Sequence, residues 1–439
     1  MVEPLVAVGL VVAVFVGYNI GGSSTGVAFG PAVGSRIVRK VTAGALFTIF
    51  AFLGAWTVGR NVIETMSNGI VDAAVFTPEA SVGVLFFTGL SLLVSNVYGV
   101  PASTSMTAVG AIVGLGLATG TLNAALMFTI LSAWIVAPLL AFGVGVVVGR
   151  YLYPYLDAKF SFGRLEDPLV GLDTDGRLPK PRLNADAARR DLFGSALVVA
   201  IACYMGFSAG ASNAANAVAP LVGNGSVEAD PAIVLAVAAI GLGGFTIARR
   251  TLATVGDDIT DLPILAALVV STVGATVITV LSYLGIPASL AVSTTCCIIG
   301  LGWGRASRAR TLVEMATPVE AAGAGTGAGG TGGAGTPSGT ERGAGTESPE
   351  FSTGALSAPP TGDPDEGAAG PTVGELAEGE VPEDDGGGGE VASIGEERPE
   401  ELPAESLFDP AATARIVSLW VITPMLSVTG AYLLFSVIT

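Results

Sequence analysis

Histidine is absent from all 439 residues, and only three cysteines occur. The first absence removes the side chain most often used to carry a proton near neutral pH or to bind a transition metal. Cys203, Cys296 and Cys297 lie in apolar stretches without CxxC or metal spacing, so neither a thiol redox centre nor a zinc site is expected. Charge is scarce, at 13% of residues. A Walker loop, a dinucleotide fingerprint after a strand and a nucleophile elbow are all missing, which speaks against an enzyme and against ATP-driven transport by this chain. No cofactor and no nucleic-acid partner are expected. Met1–Leu5 lacks the basic start of a cleavable signal, so the first apolar run is expected to remain as a helix.

What is present is apolar. Hydrophobic residues make up 51% of the chain and the mean hydropathy is +0.67, the composition of an integral membrane protein. A hydrocarbon core of ~30 Å needs ~20 apolar residues per helix. Runs of that kind predict crossings near 3–20, 41–59, 82–98, 102–118, 122–149, 192–209, 231–248, 263–284, 288–304 and 411–437.

The runs are organised by a repeat. GYNIGGSSTGVAFGPAVG at Gly17–Gly34 is echoed, 189 residues later, by GFSAGASNAANAVAPLVG at Gly206–Gly223. The offset pairs Gly21 with Gly210, Ser23 with Ser212 and Pro31 with Pro220, and it still pairs Arg60 with Arg249. Further on, GVPAS at Gly99–Ser103 answers GIPAS at Gly285–Ser289, and SAWIVAPLL at Ser132–Leu140 answers SLWVITPML at Ser418–Leu426. Chance likeness between apolar segments does not keep the order of four pairs; an internal duplication does.

Charge orients the bundle. With the N-terminus outside, Arg36, Arg39, Lys40, Arg150 and the basic residues of the loop after it, Arg249, Arg250, Arg305, Arg308, Arg310 and Arg415 all fall on one side, while the opposite loops hold only Arg60 among acids. Each half then has an odd number of crossings, so the two repeats are inverted in the membrane. The fold class expected is an all-α polytopic membrane protein of two inverted-topology repeats, with broken or re-entrant helices at the midplane.

Inversion brings the two small-residue stretches together from opposite sides. Glycine and alanine let backbones approach, and free N–H groups at a helix break can be aimed at an anion. The polar side chains are Asn19, Ser23, Ser24 and Thr25 in one stretch, and Ser208, Ser212, Asn213 and Asn216 in the other. Hydroxyls and amides donate to oxyanions without a charge of their own. The alternative reading is that small and polar residues only pack helices together. Arg60 and Arg249 stand either as membrane-interface anchors or as attractors of anions.

These motifs resemble the inorganic phosphate transporter family, whose duplicated signature reads roughly G-A-N-D-x-A-N-A, followed in each half by P-x-S-T-T. GASNAANAVAPL at Gly210–Leu221 is close to the first element and PASTSMTAVGAIVG at Pro101–Gly114 to the second, whereas GGSSTGVAFGP at Gly21–Pro31 is degenerate. The resemblance implies a secondary transporter, or permease, moving inorganic phosphate by alternating access, with a coupling cation (sodium or a proton) and a homodimer. It places Ser103, Thr104 and Ser105 at the substrate site beside Ser23, Ser24, Ser212, Asn213 and Asn216. In the second half either Ser289 alone is equivalent, or an insertion has slid the hydroxyls to Ser293 and Thr294.

The departures bear on coupling. Ile20, Ser24 and Asn213 stand where the signature has acids, and Ala209 where many members have histidine. Carboxylates are natural ligands for a hard cation, so cation binding would rest on the neutral oxygens of Asn19, Asn213 and Asn216. The same loss suits a sulfate or other oxyanion permease; from another class, a transport-dead sensor or scaffold is the alternative.

The organisation expected is a first transmembrane repeat over 1–150, a cytoplasmic connecting loop over 151–191, the first part of the second repeat over 192–310, a tract over 311–408, and a last helix over 409–439. The tract holds 20 acids against 2 arginines, which leaves the remainder at only +1. Its Gly-rich, acidic composition predicts a disordered cytoplasmic linker. The overall acidity therefore says nothing about the substrate. The location expected is the cell membrane, multi-pass.

Overall fold

The computed structural model describes residues 4–35, 37–98, 103–159, 170–173, 180–183, 189–246, 264–316 and 410–438. The helices belong to one compact unit made of residues 1–316 and 399–439. Most of the expected linker, and the basic and acidic residues between Arg249 and Asp261, lie outside the described residues.

The first half contains α1 (Pro4–Gly34), α2 (Lys40–Thr57), α3 (Gly59–Glu64), α4 (Pro78–Val97), α5 (Thr104–Thr119), α6 (Ala124–Val147) and the short α7 (Tyr153–Lys159). The second contains α8 (Arg189–Gly223), α9 (Ala229–Thr246), α10 (Ile264–Tyr283), α11 (Leu290–Ala316) and α12 (Pro410–Ile438). Between them the expected connecting loop carries α7 and a two-stranded antiparallel hairpin, Val170–Asp173 with Lys180–Leu183.

Local chemistry sets several boundaries. Thr77 accepts from the Ala80 N–H at 3.2 Å with Pro78 in the first turn, and Asn123 accepts from the Leu126 N–H at 3.1 Å, so α4 and α6 begin on side-chain caps. Gly120, at φ 70°, closes α5, and Gly285, at φ 74°, follows α10; both are left-handed positions that favour glycine.

Eight of the described helices are long and apolar enough to cross a membrane. They are eight of the ten expected crossings, in α1, α2, α4, α6, α8, α9, α10 and α12. α5, with 16 residues, is shorter, at ~24 Å for 1.5 Å per residue. One expectation needs moving: the signature stretches are not broken, since α1 and α8 run as continuous helix through them, with Pro31 and Pro220 inside their last turns. Helix starts follow the two P-A-S serines instead, α5 at Thr104 after Ser103 and α11 at Leu290 after Ser289; residues 99–102 lie outside the described residues.

Packing exchanges partners between the halves. α1 packs along α9 and α2 along α8, while α5 packs along α12 and α11 along α6. The approach is as close as backbones allow. A methyl group on Gly21 would overlap the Ile240 carbonyl, and one on Gly210 the Ala51 carbonyl; Gly54 meets Phe207 and Gly243 meets Tyr18 in the same way. Each of these contacts recurs at the 189-residue offset, so the small residues of one half make room for the other.

The contacts also fix direction. Gly9 of α1 meets Leu221 of α8, whereas Ser24, 15 residues on, meets Asn213, eight residues back, so α1 and α8 run antiparallel. α1 and α9 run parallel, because Gly17 faces Ala239 and Gly21 faces Ile240 and Gly244. On the outside, α6 exposes Phe128, Ile135 and Leu139, and α12 exposes Val421, Met425 and Leu433, apolar faces suited to lipid.

Candidate functional site

The start of α5, the start of α11 and the two signature stretches converge. A small cleft is lined by Ser23, Ser24 and Val27 from α1, Thr104 from the start of α5, Asn213 from α8, and Ser289, Leu290 and Ala291 at the start of α11. Four elements that are far apart in the chain thus contribute to one surface.

Asn213 is its hub. Its amide Nδ2 donates to Ser24 Oγ at 3.1 Å, and its Oδ1 accepts from Thr104 Oγ1 at 2.7 Å and from Asn216 Nδ2 at 3.3 Å. A second layer lies behind it. Asn216 Nδ2 also donates to Ser105 Oγ at 3.2 Å, Ser105 and Ser212 share a hydroxyl contact of 3.2 Å, and both hydroxyls donate to the Ala288 carbonyl, at 2.9 and 2.7 Å. This layer ties α8 and α5 to the turn before α11.

The sequence candidates therefore separate into groups. Ser23, Ser24, Thr104, Asn213 and Ser289 line the cleft; Ser105, Ser212 and Asn216 support it. Ser103 precedes α5, fully buried, its hydroxyl without a partner among the described residues. In the second half Ser289 lies at the cleft and accepts from the Val292 N–H at 3.4 Å as α11 begins. Ser293 follows one turn later, and the Thr294 hydroxyl bonds back to Leu290 and Ala291 carbonyls at 2.9 and 3.0 Å; neither lines the cleft.

Asn19 lies outside the lining as well. It donates to the Phe15 carbonyl at 2.9 Å and accepts from Asn96 Nδ2 at 3.0 Å, joining α1 to α4. Ser208, its counterpart at the 189 offset, donates to the Ala275 carbonyl at 3.0 Å and joins α8 to α10. Thr25 bonds back to the Gly21 carbonyl at 2.8 Å. Sequence reasoning missed Asn96 and the Ala288 carbonyl. Neither carries a signal in the chain: Asn96 sits outside every motif, and any residue supplies a carbonyl.

Electrostatically the cleft is built of dipoles. None of its lining side chains is ionisable. The first N–H groups of a helix have no intrahelical acceptor and carry partial positive charge, and α5 and α11 both present their first residues here. Thr104 is 6%, Asn213 5% and Ser289 5% exposed, so an anion held there would lose most of its water and meet fixed donors instead. Among the described residues no group of three or more His, Cys, Asp or Glu is placed to hold a metal ion. Arg60 is elsewhere, paired with Asp230 at 2.6 Å and lying over the Trp56 ring at 4.5 Å; Arg249 is outside the described residues.

A helical bundle with apolar outer faces and a polar cleft lined without ionisable side chains defines the class, a multi-pass membrane protein. Residues 20–319 match the phosphate transporter family, and the chain belongs to that family. It is similar to sulfate permease CysP of Bacillus subtilis, at 31% identity over 67% of this chain and 76% of the relative. It is also similar to inorganic phosphate transporter 2-1, chloroplastic, of Arabidopsis thaliana, at 25% identity over 69% of this chain and 67% of that one. Among solved structures the sodium-dependent phosphate transporter has the same fold, with a TM-score of 0.56 and 19% identity, over 69% of this chain and 90% of that one.

Proposed function

We propose that this chain is a secondary transporter that carries inorganic phosphate across the cell membrane by alternating access. The observation that supports the reading most directly is the cleft itself, where Ser24, Thr104, Asn213 and Ser289 converge beside two helix N-termini. Hydroxyl and amide donors meet a tetrahedral oxyanion without needing a counter-charge. The antiparallel run of α1 and α8, and the contacts that recur at the 189 offset, support two inverted repeats whose relative rocking opens the cleft to either side.

The distribution of basic residues supports an outer N-terminus and a cytoplasmic tract. Family resemblance supports a homodimer. Sodium is the coupling cation in this reading; Asn216 Oδ1 and Ser103 Oγ, both buried without a partner among the described residues, are the neutral oxygens available to it.

A second reading, sulfate transport, is supported by the uncharged lining and by the likeness to a sulfate permease. Labelled phosphate uptake into proteoliposomes, with and without a sodium gradient, tests the first. Saturable uptake that Asn213→Ala abolishes is expected. No uptake of either anion by folded, inserted protein would leave a sensor or scaffold.

A further inference from the structure

We infer that Trp134 of α6 is a positioning residue for the cleft, its indole N–H holding the turn that sets the edge formed by Ser289, Leu290 and Ala291. The inference rests on the reading of the cleft as the oxyanion site.

Residues 286–289 belong to no helix or strand, yet Pro287, Ala288 and Ser289 are buried. A buried carbonyl needs a donor, and α11 begins only at Leu290, so the carbonyls of Pro287 and Ala288 receive no intrahelical N–H. Side chains satisfy both. Trp134 Nε1 donates to the Pro287 carbonyl at 2.7 Å, and Ser105 and Ser212 donate to the Ala288 carbonyl at 2.9 and 2.7 Å. Consecutive carbonyls are thus pinned by different parts of the bundle, one by α6 and the next by α5 and α8 behind the cleft.

The hold from α6 continues an existing register. α6 and α11 run side by side in the same direction, with Gly145 against the Cys297 carbonyl and Gly149 against the Leu301 carbonyl, so that closely packed positions lie 152 residues apart. Trp134 and Pro287 lie 153 apart, just beyond the point where α11 stops. Where backbone packing ends, a hydrogen bond takes over.

The residue type fits the task. Trp134 is half-buried, and its neighbours Ile135 and Val136 are 64% and 60% exposed on the apolar outer side of α6. An indole offers such a place a large apolar ring and one donor, whereas phenylalanine offers the ring alone. Trp134 also belongs to SAWIVAPLL, the stretch answered by SLWVITPML, where Trp420 is its equivalent. Residues 99–102, which correspond to the turn, lie outside the described residues.

Loss of the donor leaves the Pro287 carbonyl unpaired and one side of the turn unheld, while the glycine contacts between α6 and α11 remain. The edge of the cleft then shifts relative to Asn213 and Thr104, and anion binding weakens.

Uptake of labelled phosphate and of labelled sulfate by the full chain in proteoliposomes, normalised to folded protein, tests this. Trp134→Phe is expected to raise the KM of the transported anion roughly fivefold or more, the scale of one buried carbonyl left unpaired, with turnover changed by less than about twofold. Benzothienylalanine at position 134, which keeps the bicyclic shape and lacks the N–H, should do the same and guards against a variant that fails to fold. A merely structural bond would lower the unfolding temperature and leave the KM of the folded protein at the wild-type value. Because Trp134 acts through the turn, its effect should shrink in a Ser289→Ala background instead of multiplying. An unchanged KM in the folded variants, or full multiplication with Ser289→Ala, overturns the positioning role and leaves the oxyanion site standing. Absence of saturable uptake of either anion by folded wild-type protein overturns the oxyanion reading itself.

Discussion

Ser24 and Asn213 stand 189 residues apart, the offset that relates the two signature stretches, and they are joined by a 3.1 Å hydrogen bond. Equivalent positions of a duplicated element meet each other at the cleft. Such self-meeting is expected where a duplicated element packs against its own copy.

Removing the hub should therefore cost more than removing its partner. Asn213→Ala deletes the bond to Ser24 and leaves Thr104 and Asn216 each without the acceptor they use. Oxyanion uptake in proteoliposomes is expected to fall at least tenfold, with a smaller fall for Ser24→Ala, at about 1–3 kcal/mol per buried group left unpaired. Equal effects of the two would contradict the hub role.

Thr294 offers the opposite test. Its hydroxyl is spent on carbonyls of its own helix, and its methyl lies against Gly274. Thr294→Val keeps the shape and should leave uptake within about twofold, since a back-bonded hydroxyl contributes little to a helix. Loss of transport would return Thr294 to the binding surface.

The two P-A-S serines should differ in stability. Ser289 caps α11 through the Val292 N–H, whereas Ser103 makes no cap bond to α5. Thermal unfolding in detergent is expected to show Ser289→Ala destabilised by about 1 kcal/mol and Ser103→Ala by less. Both variants should lose uptake if both serines serve the site.

Close packing gives a sharper contrast. Gly21→Ala would drive a methyl group into the Ile240 carbonyl, a backbone atom with no rotamer to yield. Separation of α1 from α9 is expected to cost about 1–3 kcal/mol or more, read as a lowered unfolding temperature. Gly143→Ala, on an open face of α6, should be neutral or slightly stabilising, because alanine is the better helix former.

Arg60 is not an unpartnered attractor of anions, because Asp230 neutralises it. Asp230→Asn should change stability by less than about 1 kcal/mol, as for exposed ion pairs. It should also free the charge to draw anions, lowering the apparent KM at low ionic strength and not at high. A salt-independent effect would point to packing against Trp56 instead.

The sequence by itself determined the class, the duplication and most of the site. Long apolar runs admit only helices in a membrane, and two ordered copies of the same motifs admit little besides two related halves. Ser24, Asn213 and Thr104 were legible because they fall at positions of the duplicated signature and of the P-x-S-T-T element that the chain resembles. What the tertiary structure decided is the pairing and the division of labour among similar residues. Nothing in the chain says that α1 lies along α9 rather than α2, that Asn19 clamps α4 while Asn213 faces the cleft, or that the signatures run as continuous helix. Hydroxyls and amides have the same chemistry wherever they sit. Whether each is spent on its own helix, on a neighbour or on a ligand depends on which face the packing turns toward the cleft, and that is settled only when helices from both halves come together.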